Sequence, residues 1–235
     1  MIPIKEWALL KAAKHGAIRV VKYLLPKFAD NPNILIEALH MAVDSHQPDV
    51  VRLLLGAGTP VNGVSQQGYV ALHFAASRAN AVMIEILLNT GADINFVTPR
   101  GDTPLHHVAG NLRESVTPRR LKRAGRMLIR RGAAQNMQNK LGNTPLHDAI
   151  YCTNKVVSVR HYDIMDMLLN SRADLSVRNN YGHTPLAWAI LNNCENMIQS
   201  LQQAEKKAGI IAESDEDSEI QPPEVMTDQL LPHAS

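Results

Sequence analysis

A four-residue box, Thr-Pro-Leu-His, occurs at Thr103 to His106 and again at Thr144 to His147, and a third copy at Thr184 to Ala187 differs only in its last residue. Weaker copies lie upstream, Val70-Ala71-Leu72-His73 and Glu37-Ala38-Leu39-His40, and His40, His73 and His106 are 33 residues apart each time. A second block recurs in phase: Leu54-Leu55 before Gly58 and Asn62, Leu87-Leu88 before Gly91 and Asn95, Leu128-Ile129 before Gly132 and Asn136, and Leu168-Leu169 before Ala173. A period of this length means copies of one supersecondary unit, each too small to bury its apolar side alone, so the copies must stack.

Local chemistry says what the unit is. Thr103 suits a helix N-cap, where its hydroxyl satisfies an orphan N–H, and Pro104 suits the first helical position, where no donor is lost. Gly58, Gly91 and Gly132 suit the left-handed end of a second helix, and Gly68, Gly101, Gly142 and Gly182 mark the turn before the next box. Each unit therefore reads as helix, short turn, helix and then an extended loop. In the fifth unit Arg172 stands where the others have glycine, at a cost of about 1 kcal/mol for a left-handed backbone, so local irregularity is expected there.

Taken together these residues resemble the ankyrin-repeat family, over roughly residues 5–205. The resemblance implies an all-α solenoid of stacked helix-turn-helix units with projecting β-hairpin or turn loops. It divides the chain into an N-terminal cap at 1–33, repeats at 34–65, 66–98, 99–139 and 140–179, a C-terminal cap at 180–208 and an acidic tail at 209–235. The first unit has Ala12-Ala13 and Leu24-Leu25 but no box, and the last ends in Gln199, Gln202, Gln203, Glu205, Lys206 and Lys207, the polar exterior expected of a terminal repeat. The tail, with Glu213 to Glu219 and Pro222-Pro223, is too poor in periodic apolar residues to fold alone and is expected to be disordered.

Composition removes several function classes. The longest apolar runs, such as Val20 to Leu25, fall short of the roughly 20 residues of a spanning helix, and Met1 to Lys11 lacks the pattern of a secretory signal. Two cysteines, Cys152 and Cys194, supply neither a disulfide framework nor a Cys-rich zinc site, which points to a reducing, cytoplasmic setting. Aromatic residues at 4% fit a core of Leu, Ile, Val, Met and Ala and offer no platform for stacking bases. Neither a glycine-rich phosphate loop nor a His-Glu-x-x-His motif is present, and the box histidines stand about one unit apart, too far to share a metal ion. We therefore expect no cofactor, no metal and no catalytic residue; the one enzymatic alternative would use Cys152, His107 or His161 between the inserted segments.

Net charge of +2 conceals an asymmetry. Residues 208–235 hold seven of the 22 acids and no Lys or Arg, which leaves 15 acids against 24 bases over residues 1–207. From box to cap position takes 21 residues in the third unit (Val70 to Gly91) but 29 in the fourth (Thr103 to Gly132) and 28 in the fifth (Thr144 to Arg172). The extra residues fall near Gly110 to Pro118 and Tyr151 to His161, and in a stack they are expected to form one continuous surface. The first insertion leads into a helix with an apolar stripe at Leu121, Ala124, Leu128 and Ile129, leaving Arg119, Arg120, Lys122, Arg123, Arg126 and Arg130 toward solvent. Such a face suits an acidic protein surface or the chain's own tail, with an anionic lipid surface as a minor reading and nucleic acid ranked last.

The resemblance implies a non-catalytic adaptor, expected to be a monomer, that grips a protein partner with its loop tips and the exposed side of its first helices. Aligned to the repeat, those positions include Gln66, Gln67, Tyr69, Arg100, Asp102, Asn139, Lys140, Asn143, Arg178, Asn180, Tyr181 and His183. Tyr69, Arg100, Arg178 and Tyr181 are the expected anchors, since Tyr and Arg dominate interface hot spots, and Trp188 is a further candidate. Packing between first helices is the plainer reading for Trp188 and Phe74. The acidic cluster near the C-terminus is also similar to the translocation signal of bacterial type IV effectors, many of which carry ankyrin repeats, and implies an alternative in which the chain enters a host cell and binds a host protein.

Overall fold

The structure, a computed structural model, describes residues 4–111, 115–150 and 159–209. The expected disorder of the tail, the expected abutment of the two insertions, and the thiol and imidazole proposed at Cys152 and His161 lie outside the described residues or side chains. Among the described residues there are twelve α-helices and no strand. They alternate as inner helices α1 (Ile4–Lys14), α3 (Pro32–Asp44), α5 (Ala71–Ser77), α7 (Pro104–Ala109), α9 (Pro145–Ala149) and α11 (Pro185–Leu191), and outer helices α2 (Ile18–Leu24), α4 (Pro48–Gly56), α6 (Ala81–Asn89), α8 (Pro118–Arg130), α10 (Val159–Asn170) and α12 (Glu195–Ala208). A 3-10 turn, Leu25–Phe28, follows α2. Each inner helix packs on its own outer helix and on the inner helices before and after it, and the outer helices do the same along their own row. None of the described helices is long and apolar enough to cross a membrane.

The reason for each start and stop is visible. Thr103, Thr144 and Thr184 are the N-caps of α7, α9 and α11, with proline at the next position in all three. The box histidines then close the helix start from the other side: His73, His106 and His147 Nδ1 accept the N–H of Val70, Thr103 and Thr144 at 3.1–3.2 Å. A ring nitrogen that accepts from a backbone amide carries no proton, so the proton sits on Nε2. Each Nε2 donates across to the loop leading into the next unit, to the carbonyl of Phe96 at 2.9 Å, Asn143 at 3.0 Å and His183 at 3.0 Å. His40 makes the same link to Gly63 at 3.1 Å. Asparagines repeat the theme behind the outer helices, where Asn62, Asn95 and Asn136 Oδ1 accept the N–H of Asp93, Ala134 and Asp174 at 2.8–2.9 Å.

The loops expected as hairpins are tight turns, which we call fingers. Each is closed by two backbone hydrogen bonds, as in Asn139 N–H to Asn143 O at 2.9 Å and Gly142 N–H to Asn139 O at 2.8 Å, with Gly142 at φ +74°. Neighbouring fingers also touch backbone to backbone, Lys140 N–H to Arg100 O at 2.9 Å and Asn180 N–H to Leu141 O at 3.0 Å. That approach is why glycine is required: a Cβ on Gly142 would stand 2.5 Å from the Asn180 amide nitrogen. Arg172 occupies the left-handed position at φ +66°, as the missing glycine implied.

Two details depart from the sequence reading. Helix α3 begins at Pro32 behind the N-cap Asn31, whose side chain accepts the N–H of Ile34, so the second unit starts before residue 34. Within the C-terminal cap Glu205 is buried beside Leu201, and burial raises its carboxyl pKa. The amphipathic turn of α12 that packs on α10 carries Glu205 inward with its apolar neighbours, so the polar exterior is formed by the remaining residues.

Replacing Arg172 with glycine should raise stability by about 1 kcal/mol in urea unfolding, because it removes the left-handed penalty of a side chain that is exposed; an unchanged midpoint would show that the chain bears no strain there.

Burial also fixes the pH response. It lowers the pKa of His40 to about 4 and that of His107 to about 4, and it lowers those of His73, His106 and His147. A lowered histidine pKa means that the unfolded chain takes up the proton first, so this stabilisation is complete above pH 6.5 and drains away as pH falls toward about 4. Asp148 acts oppositely: burial first, then the nearby Asp102, raise it to about 7, so its contribution is complete below its ordinary value of 3.8 and is lost as pH rises through 7. His46 is lowered by burial as well, and these six imidazoles outweigh the two raised carboxyls Asp148 and Glu205, so urea unfolding should show stability falling steadily from pH 7 to pH 4.5. Asp148→Asn should stabilise the chain at pH 8 by on the order of 1 kcal/mol and leave it unchanged at pH 4.

Candidate interaction surfaces

Fingers and inner helices face a common groove. At its N-terminal end Ile36, Met41 and Phe74 form an apolar floor and Val64, Gln66 and Gln67 form one wall, around a hollow of about 520 Å³. The hollow continues past the ion pair of Arg78 and Asp44, joined by two contacts of 2.6 and 2.8 Å, to Tyr69, His73 and His107. Rings run along it in a chain: His40 to Phe74 at 5.1 Å between centroids, Phe74 to Tyr69 at 5.9 Å, Tyr69 to His107 at 5.7 Å and His107 to His73 at 5.2 Å. A second cluster follows in the last unit, where His183 stacks on Tyr181 at 6.5 Å and lies 5.7 Å from Trp188.

Three ring nitrogens on this side are withdrawn from solvent and have no hydrogen-bond partner among the described residues: His107 Nε2, His183 Nδ1 and Trp188 Nε1. Thr59 Oγ1 and Gln135 Oε1 share this condition elsewhere, and of the three rings His107 lines the hollow beside Tyr69 and His73. His107 and Trp188 follow the fourth box position, as Phe74 and Asp148 do in other units, whereas His183 stands just before its box.

The expected contact residues separate into two groups. Gln66, Gln67, Arg100, Lys140, Arg178, Asn180 and Tyr181 are exposed on the fingers, and Tyr69 and His183 are half-buried where fingers meet helices. Asp102, Asn139 and Asn143 are buried instead. Asn139 donates to the Asp102 carboxylate at 2.8 Å and Asn179 donates to Asn143 Oδ1 at 3.1 Å, so these side chains rivet finger to finger. Two expected anchors are held by their own fingers, Arg178 on the Gly182 carbonyl at 2.8 Å and Arg100 3.6 Å from Asp102. Val64, Val97 and Leu141 were not anticipated, yet they are exposed apolar side chains on the fingers in company with Tyr181. Phe74 and Trp188, expected as packing between inner helices, are half-buried and border the groove. For the thiols, Cys194 is buried and is not free.

The basic segment forms a separate surface on the outer row. Leu121, Ala124, Gly125 and Leu128 bury one side of α8, and Gly125 lets it lie close to α10, since a Cβ there would meet the Met167 methyl at 2.5 Å. Lys122 corrects the sequence reading: it is half-buried and paired with Asp163 at 3.2 Å and Asp166 at 3.9 Å, a bridge to α10 and not part of the open face. Arg119, Arg120, Arg123, Arg126, Arg130 and Arg131 remain exposed around Met127, and none has a carboxylate within 4.0 Å among the described residues. Among the described residues Arg120 reaches the Arg78 carbonyl and Arg131 the Asn89 amide oxygen.

This arrangement works against α8 itself. Four arginine pairs, 119 with 123, 120 with 123, 123 with 126 and 126 with 130, sit at helical neighbour spacing. At 0.2–0.5 kcal/mol each they cost roughly 1–2 kcal/mol at low salt. Arg119 and Arg120 also crowd the first turn, which lacks an acid and where the helix dipole disfavours cations. The triple variant Arg119→Gln, Arg123→Gln, Arg126→Gln should therefore be more stable than the parent by about 1 kcal/mol in 10 mM salt, and the gain should shrink in 0.5 M salt; equal stability in low salt would show the charges to be compensated.

The geometry defines a helical repeat solenoid that offers a groove and finger tips on one side and a cationic back on the other. A family model of ankyrin repeats in three copies matches residues 39–117, 72–178 and 121–211, and the chain belongs to the ankyrin-repeat family. Its members' repeats are protein interaction modules. No curated protein matches the sequence.

Proposed function

We propose that this chain is a non-catalytic binding module that holds a protein partner in the groove between its fingers and inner helices and acts by scaffolding or sequestration. The observation that carries this reading is the ring-lined hollow in which Phe74, Tyr69, His73 and His107 adjoin one another, with His107 Nε2 unpaired among the described residues and Trp188 Nε1 and His183 Nδ1 likewise unpaired in the last unit. Desolvated polar atoms of this kind cost stability in the free chain and recover it when a partner supplies the missing bond. Exposed Val64, Val97, Leu141 and Tyr181 add apolar contact area where the fingers end. Delivery into a host cell as a secreted effector is a narrower version that rests on the acidic run from Glu213 to Glu219 alone, and translocation surviving deletion of 212–235 removes it.

Affinity capture with quantitative mass spectrometry should recover a partner that is lost when Tyr69, Arg100, Arg178 and Tyr181 are replaced by alanine together. Trp188→Phe is the sharper probe because it keeps the ring and removes the N–H. It should leave the free chain as stable as before or more so, and weaken the captured partner about tenfold. Full retention of that partner by both variants would remove the groove from recognition.

A further inference from the structure

We infer that the arginine face of α8 is the docking site of this chain's own acidic segment, residues 213–219. The inference is independent of the groove, which lies on the opposite side of the stack. Its starting point is that the exposed arginines find no carboxylate among the described residues, although they repel one another along the helix. The acids that could neutralise them are concentrated elsewhere in the sequence: Glu213, Asp215, Glu216, Asp217 and Glu219 lie within seven residues, and no Lys or Arg follows Lys207. From Arg113 to Arg131 there are eight bases and one acid, an excess of seven, and the residues after Gly209 carry seven acids.

Placement makes the encounter local. The described chain leaves the stack at Gly209, one residue after α12, which packs on α10, which packs on α8. With 8–10 Å between packed helix axes, α8 lies roughly 20 Å from α12. At about 3.5 Å per extended residue, Glu216 reaches about 24 Å and Glu219 about 35 Å from Gly209, so the later acids of the run span the distance to α8. The route runs over a shallow surface where Arg172 and Lys207 stand beside Asp166 and Asp174, so it is close to neutral and the net positive charge lies on α8. Asp163 and Asp166 on α10 also face that route and are already engaged by Lys122. A segment tethered this closely acts at an effective concentration in the millimolar range, so it competes with any anionic ligand in solution for the arginine face.

The test uses a fluorescein-labelled peptide with the sequence of residues 210–225 as probe, read by anisotropy in 20 mM salt. It compares the full chain, the full chain with Glu213→Gln, Asp215→Asn, Glu216→Gln, Asp217→Asn and Glu219→Gln, and that variant with Arg119→Gln, Arg123→Gln, Arg126→Gln and Arg130→Gln added. The tail-neutralised chain should bind the probe at least tenfold more tightly than the parent, the arginine substitutions should abolish the gain, and 0.5 M salt should erase it. Equal binding by the parent and the tail-neutralised chain would overturn the inference, as would binding that survives the arginine substitutions. A difference that disappears when the parent is diluted tenfold assigns the tail to a second copy and equally overturns docking within one chain. If the tail-neutralised chain takes up phosphatidylserine vesicles and ignores the peptide, the face belongs to a lipid surface and the inference fails.

Discussion

One imidazole ring in each of the third, fourth and fifth units performs two tasks, and the architecture there depends on their being performed together. Nδ1 of His73, His106 and His147 accepts the first amide of its own helix, which obliges the proton onto Nε2, and Nε2 delivers that proton to a carbonyl of the following unit. The start of a helix and its spacing from the next are thus set by one rigid, neutral group. Protonation would place a second hydrogen against an amide that is already a donor, so the same ring that holds the stack in register forbids the charged state. Burial is the first cause of the lowered basicity of these histidines, and the backbone carbonyls they reach act in the opposite direction.

With register fixed, the two sides of the stack take different chemistries. Inner helices and fingers converge on a groove of rings and small apolar patches whose polar atoms are partly unpaired, which suits a shaped polypeptide surface. Outer helices diverge, and α8 turns a block of guanidinium groups toward solvent with little apolar relief beyond Met127. Shape governs the first surface, and long-range Coulomb attraction that salt can switch off governs the second. Lys122 shows where the boundary lies: one helical turn separates a cation tied to α10 from cations with nothing to hold.

Most of the fold was legible because its signals are short-range. Thr103, Pro104 and Gly91 each announce a backbone conformation that any neighbour must accept, and repetition turns weak signals into a firm one. Even Arg172 in a left-handed backbone followed from the alignment of Gly58, Gly91 and Gly132 above it. The surfaces were less legible, since burial of a finger residue depends on the finger beside it. Asp102 and Asn143 look like tips in the alignment, but lateral bonds to Asn139 and Asn179 draw them inward. The start of α3 was missed because its cap, Asn31-Pro32, stands six residues upstream of the Glu37 box, although asparagine caps a helix as well as threonine does. The groove nitrogens could not be found from sequence at all, since an unpaired atom is defined by what fails to arrive.

In a stack coupled chiefly neighbour to neighbour, the least secure unit sets where the whole gives way. Here that unit stands near the middle, where self-repelling α8 meets α10 through a glycine window at Gly125. Heat or denaturant should therefore melt the fourth unit first and leave a folded stump of the first three, so that the protein melts in two stages and its groove parts in the centre before its N-terminal end unravels.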